Sequence, residues 1–220
     1  MILTLGHTKG GVGKSTLALN IAIERLLAGV DTLLVDGDPK QTSISKAIGI
    51  RAEAGLTPPV PCIVLDDAKA LRHQVGLLKS KYQDIVIDVG GKDSNALRAA
   101  LTVTDALLLP IGPESVEIWA IDDILELIDE ARSLHDFRVF AVLNRAKPVG
   151  RDNADTIAVI HEYAGIELVP GSVGNRGIFG SAFGRGQSVT EYKPRNRKAA
   201  AELATLMSAL YGDRTESVEG

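Results

Sequence analysis

The sequence predicts an α/β fold, a doubly wound and mostly parallel sheet flanked by helices, and three observations carry that prediction. Short, nearly continuous apolar runs recur along the 220 residues, helical spacing fills most stretches between them, and turn-forming residues stand at the junctions. A strand covered on both faces reads as an unbroken apolar run, whereas a half-exposed strand alternates, so these runs indicate helices on both sides of a parallel sheet.

The first run, Ile2–Gly6, enters a glycine-rich turn and then a helical pattern over Lys14–Ala28. Thr32–Asp36 is the second strand. The stretch Ile50–Pro61, with Thr57-Pro58-Pro59 inside it, reads as a loop, and Cys62 reads as a buried small hydrophobe before an Ile-Val-Leu run. Strand Ile85–Asp88 precedes helix Ser94–Thr102, and strand Ala106–Ile111 precedes helix Glu114–Leu134, whose Trp119 reads as core packing. Strand Arg138–Leu143, helix Asn153–Ala164, strand Glu167–Val169 and a terminal helix Arg195–Tyr211 complete the order. With no repeat or linker in view, residues 1–212 are expected to form one domain and residues 213–220 a frayed tail. Such a sheet binds ligands beyond the carboxyl ends of its strands.

Composition narrows the class. Hydrophobic residues make up 45% and charged residues 24%, as in ordinary globular proteins. No apolar run reaches the roughly 18 residues of a membrane span. The opening MILTLGHTKGG lacks the basic and then apolar regions of a signal peptide. The single cysteine excludes an internal disulfide framework or a four-cysteine zinc site, and His7, His73, His135 and His161 are scattered, so a reducing cytoplasm is the expected compartment. The net charge of −4 conceals an asymmetry: residues 171–198 carry Arg176, Arg185, Lys193, Arg195, Arg197 and Lys198 against Glu191, for +5, while the rest of the chain carries −9. A basic segment on an acidic body is either the footprint of a polyanion or a solvated surface, and both readings stand on charge alone.

The strongest motif is Lys9-Gly10-Gly11-Val12-Gly13-Lys14-Ser15-Thr16, between a predicted strand and a predicted helix. Glycines let backbone N–H groups face phosphate oxygens, the helix start adds its positive dipole end, Lys14 supplies a cation and the Ser15 hydroxyl suits Mg²⁺. The ordinary G-x-x-x-x-G-K-[ST] pattern would place its first glycine where this chain has Thr8, and a second lysine, Lys9, stands five residues before Lys14. With this Lys-Gly-Gly-x-Gly-Lys-Ser signature the sequence resembles the deviant Walker A type of P-loop NTPase, the ParA and MinD superfamily. It is similar in particular to the short ParA form without an N-terminal helix-turn-helix domain.

The resemblance spans roughly Met1 to Leu210 and implies roles residue by residue. Residues Lys9 to Thr16 bind ATP, and Lys9 reaches across a twofold interface to the partner chain's phosphates, neutralising charge as an arginine finger does elsewhere. Leu33-Leu34-Val35-Asp36-Gly37-Asp38-Pro39 resembles the family's Asp-x-Asp-Pro stretch: Asp38 orients the attacking water, and Asp36 supports the metal shell and the loop. Carboxylates at i and i+2 of an extended segment point to one side, in keeping with a shared site. The chain departs from the family at Lys40, where Gln is common; here Gln41 follows. Ile85-Val86-Ile87-Asp88 matches a Walker B strand, so Asp88 holds Mg²⁺ through a water. Val89-Gly90-Gly91-Lys92-Asp93-Ser94, Leu109-Pro110 and Asn144-Arg145 sit where ParA-like proteins place ligand-facing turns; Asn144 reads the adenine edge or closes a turn, and both readings stand.

By this resemblance the chain is an ATPase switch using ATP and Mg²⁺. ATP closes a homodimer that binds DNA non-specifically, and a ParB-like or cargo adaptor protein stimulates hydrolysis to ADP and phosphate. It would be cytoplasmic and nucleoid-associated, and would partition or position a plasmid, chromosome or protein cargo. Arg176, Arg185, Lys193, Arg195, Arg197 and Lys198 are the expected DNA contacts. Two alternatives stand beside this reading. A MinD-like positioning ATPase would carry a basic amphipathic terminal helix for the membrane, whereas this sequence ends in an acidic stretch. A small-molecule ligase of the dethiobiotin-synthetase type would share the phosphate loop without needing the basic segment.

Overall fold

The computed structural model describes residues 1–38, 43–90, 94–113 and 118–212. The expectations for Pro39, Lys40 and Gln41, for residues 91–93, for a helix start at Glu114, for the side chain of Trp119 and for the tail 213–220 lie outside the described residues.

In chain order the elements are β1 (Ile2–Leu5), α1 (Lys14–Leu27), β2 (Thr32–Gly37), α2 (Ser43–Glu53), β3 (Cys62–Val64), α3 (Ala68–Leu78) and β4 (Asp84–Val89). There follow α4 (Ser94–Leu101), β5 (Ala106–Ile111), α5 (Ile118–Arg132), β6 (Arg138–Ala146), α6 (Asp152–His161), β7 (Glu167–Gly174), α7 (Gly177–Phe183) and α8 (Arg197–Tyr211). The seven strands form one sheet in the order β3-β2-β4-β1-β5-β6-β7, and every neighbouring pair is parallel. Connections after β1 run toward β3 and later ones toward β7, so β1 stands at the point where the winding reverses, the usual ligand crevice of such sheets.

Period-two alternation along the strands divides the apolar residues between two cores. Leu3, Leu5, Leu34, Val86, Leu108 and Phe140 pack under α1, α2, α7 and α8. Ile2, Leu33, Val35, Ile85, Ile87 and Leu107 pack on the other face, under α3, α4, α5 and α6. This is the doubly wound arrangement that the unbroken runs predict.

Four elements escaped the sequence pattern: α2, β3, α3 and α7. The expected loop Ile50–Pro61 begins inside α2, because Ile50–Glu53 form its last turn. The three residues of β3 form a partly exposed edge, and Cys62 there is half-buried rather than buried, with its thiol pushed up to about 12 by burial and the nearby Asp36. α3 buries only Leu71 and Val75; its start is fixed by the Asp67 carboxylate, which accepts from Ala70 N at 2.8 Å. β7 continues past the expected end at Val169 through Pro170, a residue tolerated because β7 is an edge strand.

A buried charge ties α2 to the segment before α8. Arg51, 1% exposed, donates from Nε to Pro58 O at 3.0 Å and from Nη1 to Gly186 O at 2.8 Å. Its Nη1 and Nη2 also meet both Glu191 oxygens at 2.9 and 3.0 Å. Gly186, at φ +62, packs so closely on α2 that a Cβ would meet Arg51 N at 2.8 Å. The same segment is tied to α1, where Asn20 Oδ1 accepts from Val189 N at 2.9 Å and Glu24 accepts from the Ser188 and Thr190 hydroxyls at 2.5 Å each.

Candidate nucleotide site

The glycine-rich turn leaves β1 at the reversal point and delivers Lys14 and Ser15 to the start of α1. Gly11 and Gly13 adopt φ +78 and +96, where a side chain would be strained, and a Cβ at Gly10 or Gly11 would meet nothing within 4 Å. The turn is therefore open on one side and braced on the other. Asn144, at the end of β6, donates from Nδ2 to Val12 O at 2.6 Å, and a Cβ at Gly13 would overlap that nitrogen. Asn144 thus braces the loop while lining the cavity beside it, a role outside the two that the sequence left open.

Beneath the loop lie the charged groups. Lys14, 7% exposed, donates from Nζ to Lys9 O at 3.2 Å. Burial lowers its pKa, against the pull of Asp88 and Asp38. Asp88 is 2% exposed and pairs in register with Asp36 across β2 and β4. Its Oδ2 accepts from the Ser15 hydroxyl at 2.5 Å, its Oδ1 is buried with no hydrogen-bond partner, and burial pushes its pKa up to about 7. A buried carboxylate with unmet acceptor capacity beside a hydroxyl fits a hard, oxygen-loving divalent cation. Among the described residues no group of three His, Cys, Asp or Glu side chains converges, so a cation held by Ser15 and Asp88 would take further oxygens from its ligand.

Asp36 supports the loop, one part of what was expected of it. Its Oδ1 accepts from Asp38 N at 3.2 Å, and its Oδ2 accepts from Ser45 N at 3.2 Å and Ser45 Oγ at 2.7 Å. Both oxygens thereby hold the loop after β2 and the first turn of α2, and Asp88, not Asp36, has the unmet acceptor capacity. Asp38 itself sits against Gly90, where a Cβ would lie 2.9 Å from its Cγ. It faces a cavity of about 170 Å³ shared with Gly11, Lys14, Ser15, Ser43 and Arg145. His7, 2% exposed, accepts from Lys9 N at Nδ1, 2.9 Å, and its pKa falls to about 4 through burial, then Lys14 and Lys9.

Two further cavities adjoin the loop. One of about 240 Å³ lies among Gly13, Thr16, Asn144, Asn175, Arg176 and Phe179, and one of about 350 Å³ among Lys9, Gly10, Gly11, Pro113, Arg145 and Asn175. A cleft of about 420 Å³ at the amino ends of the strands, near Met1, Lys79 and Asp105, lies away from these groups.

The six basic residues divide. Arg176 is half-buried and its guanidinium is held by Glu202, with Nη2 to Oε1 at 2.6 Å and Nε to Oε2 at 3.0 Å. Its charge is paired and it lines the 240 Å³ cavity, which sets it apart from the exposed basic residues that follow. Arg185 lies 5.4 Å from the Tyr192 ring centroid. Lys193, Arg195, Arg197 and Lys198 are exposed, and no ion pair among the described residues holds them. Arg197 and Lys198 occupy the first turn of α8, capped by Asn196 Oδ1 accepting from Ala199 N at 3.0 Å. Cations at a helix's positive end are disfavoured for the helix itself and add to its attraction for an anion. Sequence reasoning did not single out Asn175, which lines two of these cavities, or Ser45, which holds Asp36; Arg145 it named only within the Asn144-Arg145 turn.

A phosphate loop at the reversal point of a parallel sheet, with a buried lysine, a serine and an under-coordinated aspartate beneath it, defines a P-loop nucleotide-binding protein. The chain belongs to the CobQ/CobB/MinD/ParA nucleotide-binding domain family, whose model matches residues 3–189. It is 26% identical over 208 residues to the maintenance of carboxysome distribution protein A of Halothiobacillus neapolitanus, covering 94% of each chain. It is 24% identical over 234 residues to Protein ParA of Rhizobium radiobacter, covering 99% of each. Among solved structures, its fold matches an ATP complex of an aspartate-to-alanine variant of Cyanothece McdA with a TM-score of 0.76 at 16% identity, covering 95% of each chain. It also matches the septum site-determining protein MinD of Pyrococcus horikoshii in complex with Mg-ADP, with a TM-score of 0.75 at 20% identity and 95% coverage of each chain. No helix among the described residues is long and apolar enough to cross a membrane.

Proposed function

We propose that this protein is an ATP-dependent dimerising switch that binds DNA without sequence preference and partitions or positions a cargo. The observation that carries the reading is the pairing of a complete phosphate site with a second lysine, Lys9, beside the open face of the loop. The full-length relatives with partition and distribution functions support it, as do the ATP and Mg-ADP complexes of fold neighbours. ATP with Mg²⁺ is the expected ligand, and the divalent cation supplies charge neutralisation at the phosphates.

Within this reading Lys14 and the loop N–H groups bind the phosphates, and Ser15 and Asp88 orient the cation. Asp38 holds the attacking water, and Lys9 extends to the partner chain's nucleotide, making ATP part of an isologous interface. Closure brings two basic segments onto one face, where Lys193, Arg195, Arg197 and Lys198 of each chain contact DNA phosphates and associate the protein with the nucleoid. Neutralising about 6–10 phosphates makes affinity fall about 10³–10⁵-fold between 50 and 200 mM salt. A ParB-like or cargo adaptor protein then stimulates hydrolysis and release.

The test is whether ATP with Mg²⁺ converts the protein to a dimer that retains duplex DNA of arbitrary sequence, with ADP failing on both counts. Lys9→Ala should bind ATP yet dimerise poorly. Replacing Arg195, Arg197 and Lys198 by Glu should remove DNA retention and leave ATP-dependent dimerisation. Monomeric behaviour in ATP, with turnover appearing only when a small acid substrate is added, would overturn the switch in favour of a ligase.

A further inference from the structure

Arg145 has a backbone conformation that its residue type disfavours. At φ +55 it occupies the left-handed region, which glycine and asparagine enter far more readily. The cause lies in the sheet: pairing between β6 and β7 shifts register between Asn144 and Ala146, leaving Arg145 in a bulge at the carboxyl end of β6. A bulge bends the strand and re-aims one side chain, and such strain persists where the surroundings pin it. Here both flanks are pinned, by Asn144 Nδ2 on Val12 O at 2.6 Å and by Asn175 N on Ala146 O at 2.9 Å.

The re-aimed side chain stands where the three cavities of the loop meet. Arg145 lines the chamber with Asn144 and Asn175, the chamber with Lys14, Ser15 and Asp38, and the chamber with Lys9, Gly10 and Gly11. It is exposed, and no hydrogen bond or ion pair among the described residues occupies its guanidinium. The neighbouring Arg176 is different, since Glu202 holds it.

We infer that Arg145 is a phosphate-binding residue of this site, holding the diphosphate portion shared by ADP and ATP. The inference rests on the nucleotide reading of the site. A nucleotide's diphosphate is the part that joins its sugar to the phosphate loop, and Arg145 is the wall common to the loop-side chamber and the chamber beside Asn144. The planar guanidinium matches two phosphate oxygens at once, which a lysine ammonium does not. An arginine tolerated in a left-handed bulge is accounted for by ligand contact, because no group among the described residues pairs with its charge.

The test is calorimetric titration of Mg-ADP and a non-hydrolysable Mg-ATP analogue into the parent, Arg145→Gly and Lys14→Ala, with thermal melting of each ligand-free protein. Arg145→Gly relieves the left-handed strain, so its melting temperature should equal or exceed the parent's. Loss of charge-assisted hydrogen bonds should weaken ADP and the ATP analogue by a similar factor, about 10- to 100-fold. Unchanged affinities in Arg145→Gly, with binding lost in Lys14→Ala, would overturn the role of Arg145 and leave the nucleotide reading standing. A loss confined to the ATP analogue would move the contact to the terminal phosphate and overturn the diphosphate assignment, and a lowered melting temperature would make the residue structural. Undiminished binding in Lys14→Ala would instead defeat the nucleotide reading itself.

Discussion

Two of the places where the molecule buries charge treat it in opposite ways. Around Arg51 the guanidinium meets two backbone carbonyls and both oxygens of Glu191. At Asp88 one oxygen has Ser15 and the other has no hydrogen-bond partner among the described residues. A buried group whose valences are met holds the fold together, while one left short marks a place where the fold is incomplete without a ligand. The distinction also separates Asp36 from Asp88, adjacent in register and equally buried, because only Asp36 finds protein partners for both oxygens.

Three measurements can break or sharpen that contrast. The largest effect is expected at the satisfied centre. Arg51→Ala leaves Glu191 with only Ser188 N and takes the guanidinium donor from two carbonyls, and denaturant unfolding of the ligand-free protein should show a loss of about 3–5 kcal/mol. A loss below 1 kcal/mol would mean that the junction is ornamental.

The second measurement concerns His7, beside the under-satisfied centre. Its imidazole takes a proton near 6.5 when unfolded and only at about 4 when folded. The unfolded chain therefore binds the extra proton in that window, and stability present above pH 6.5 is lost as pH falls toward 4. Comparison with His7→Gln isolates this residue: the parent should lose about 2–3 kcal/mol more than the variant across the window. Parallel pH profiles would contradict a neutral buried imidazole.

The smallest effect has the opposite sign. Asp88→Asn removes a carboxyl whose folded pKa is raised to about 7, so the parent's stability is lost as pH rises through that value while the variant's is not. At pH 8 without ligand the variant should be more stable by about 1–2 kcal/mol, yet Mg²⁺ should no longer strengthen its nucleotide binding. Destabilisation at pH 8 would show that Asp88 has a structural partner after all.

Legibility followed the same division. The phosphate loop was readable because residue identity is itself the signal: glycines, Lys14 and Ser15 at fixed offsets after an apolar run. The strands that surround it were readable because burial on both faces leaves unbroken runs. α2 and α3 were missed because each buries few apolar residues, and β3 because three edge residues hardly form a pattern. The ion pair of Arg176 was not legible because its partner Glu202 lies 26 residues on, a pairing created by packing α8 beside β7. The left-handed bulge at Arg145 comes from how β6 pairs with β7, which no local propensity encodes.

α2 carries a mechanical consequence. Its first turn is held by Asp36, whose other oxygen holds the backbone of Asp38, and its last turn carries Arg51 clamped to Glu191. Eleven residues of helix make a rod about 16 Å long. A tilt of about 10° about the Asp36 end would carry the Arg51 end about 3 Å, as far as a hydrogen bond is long. α2 thus reaches from the side of the phosphate loop to the segment that leads into the basic first turn of α8.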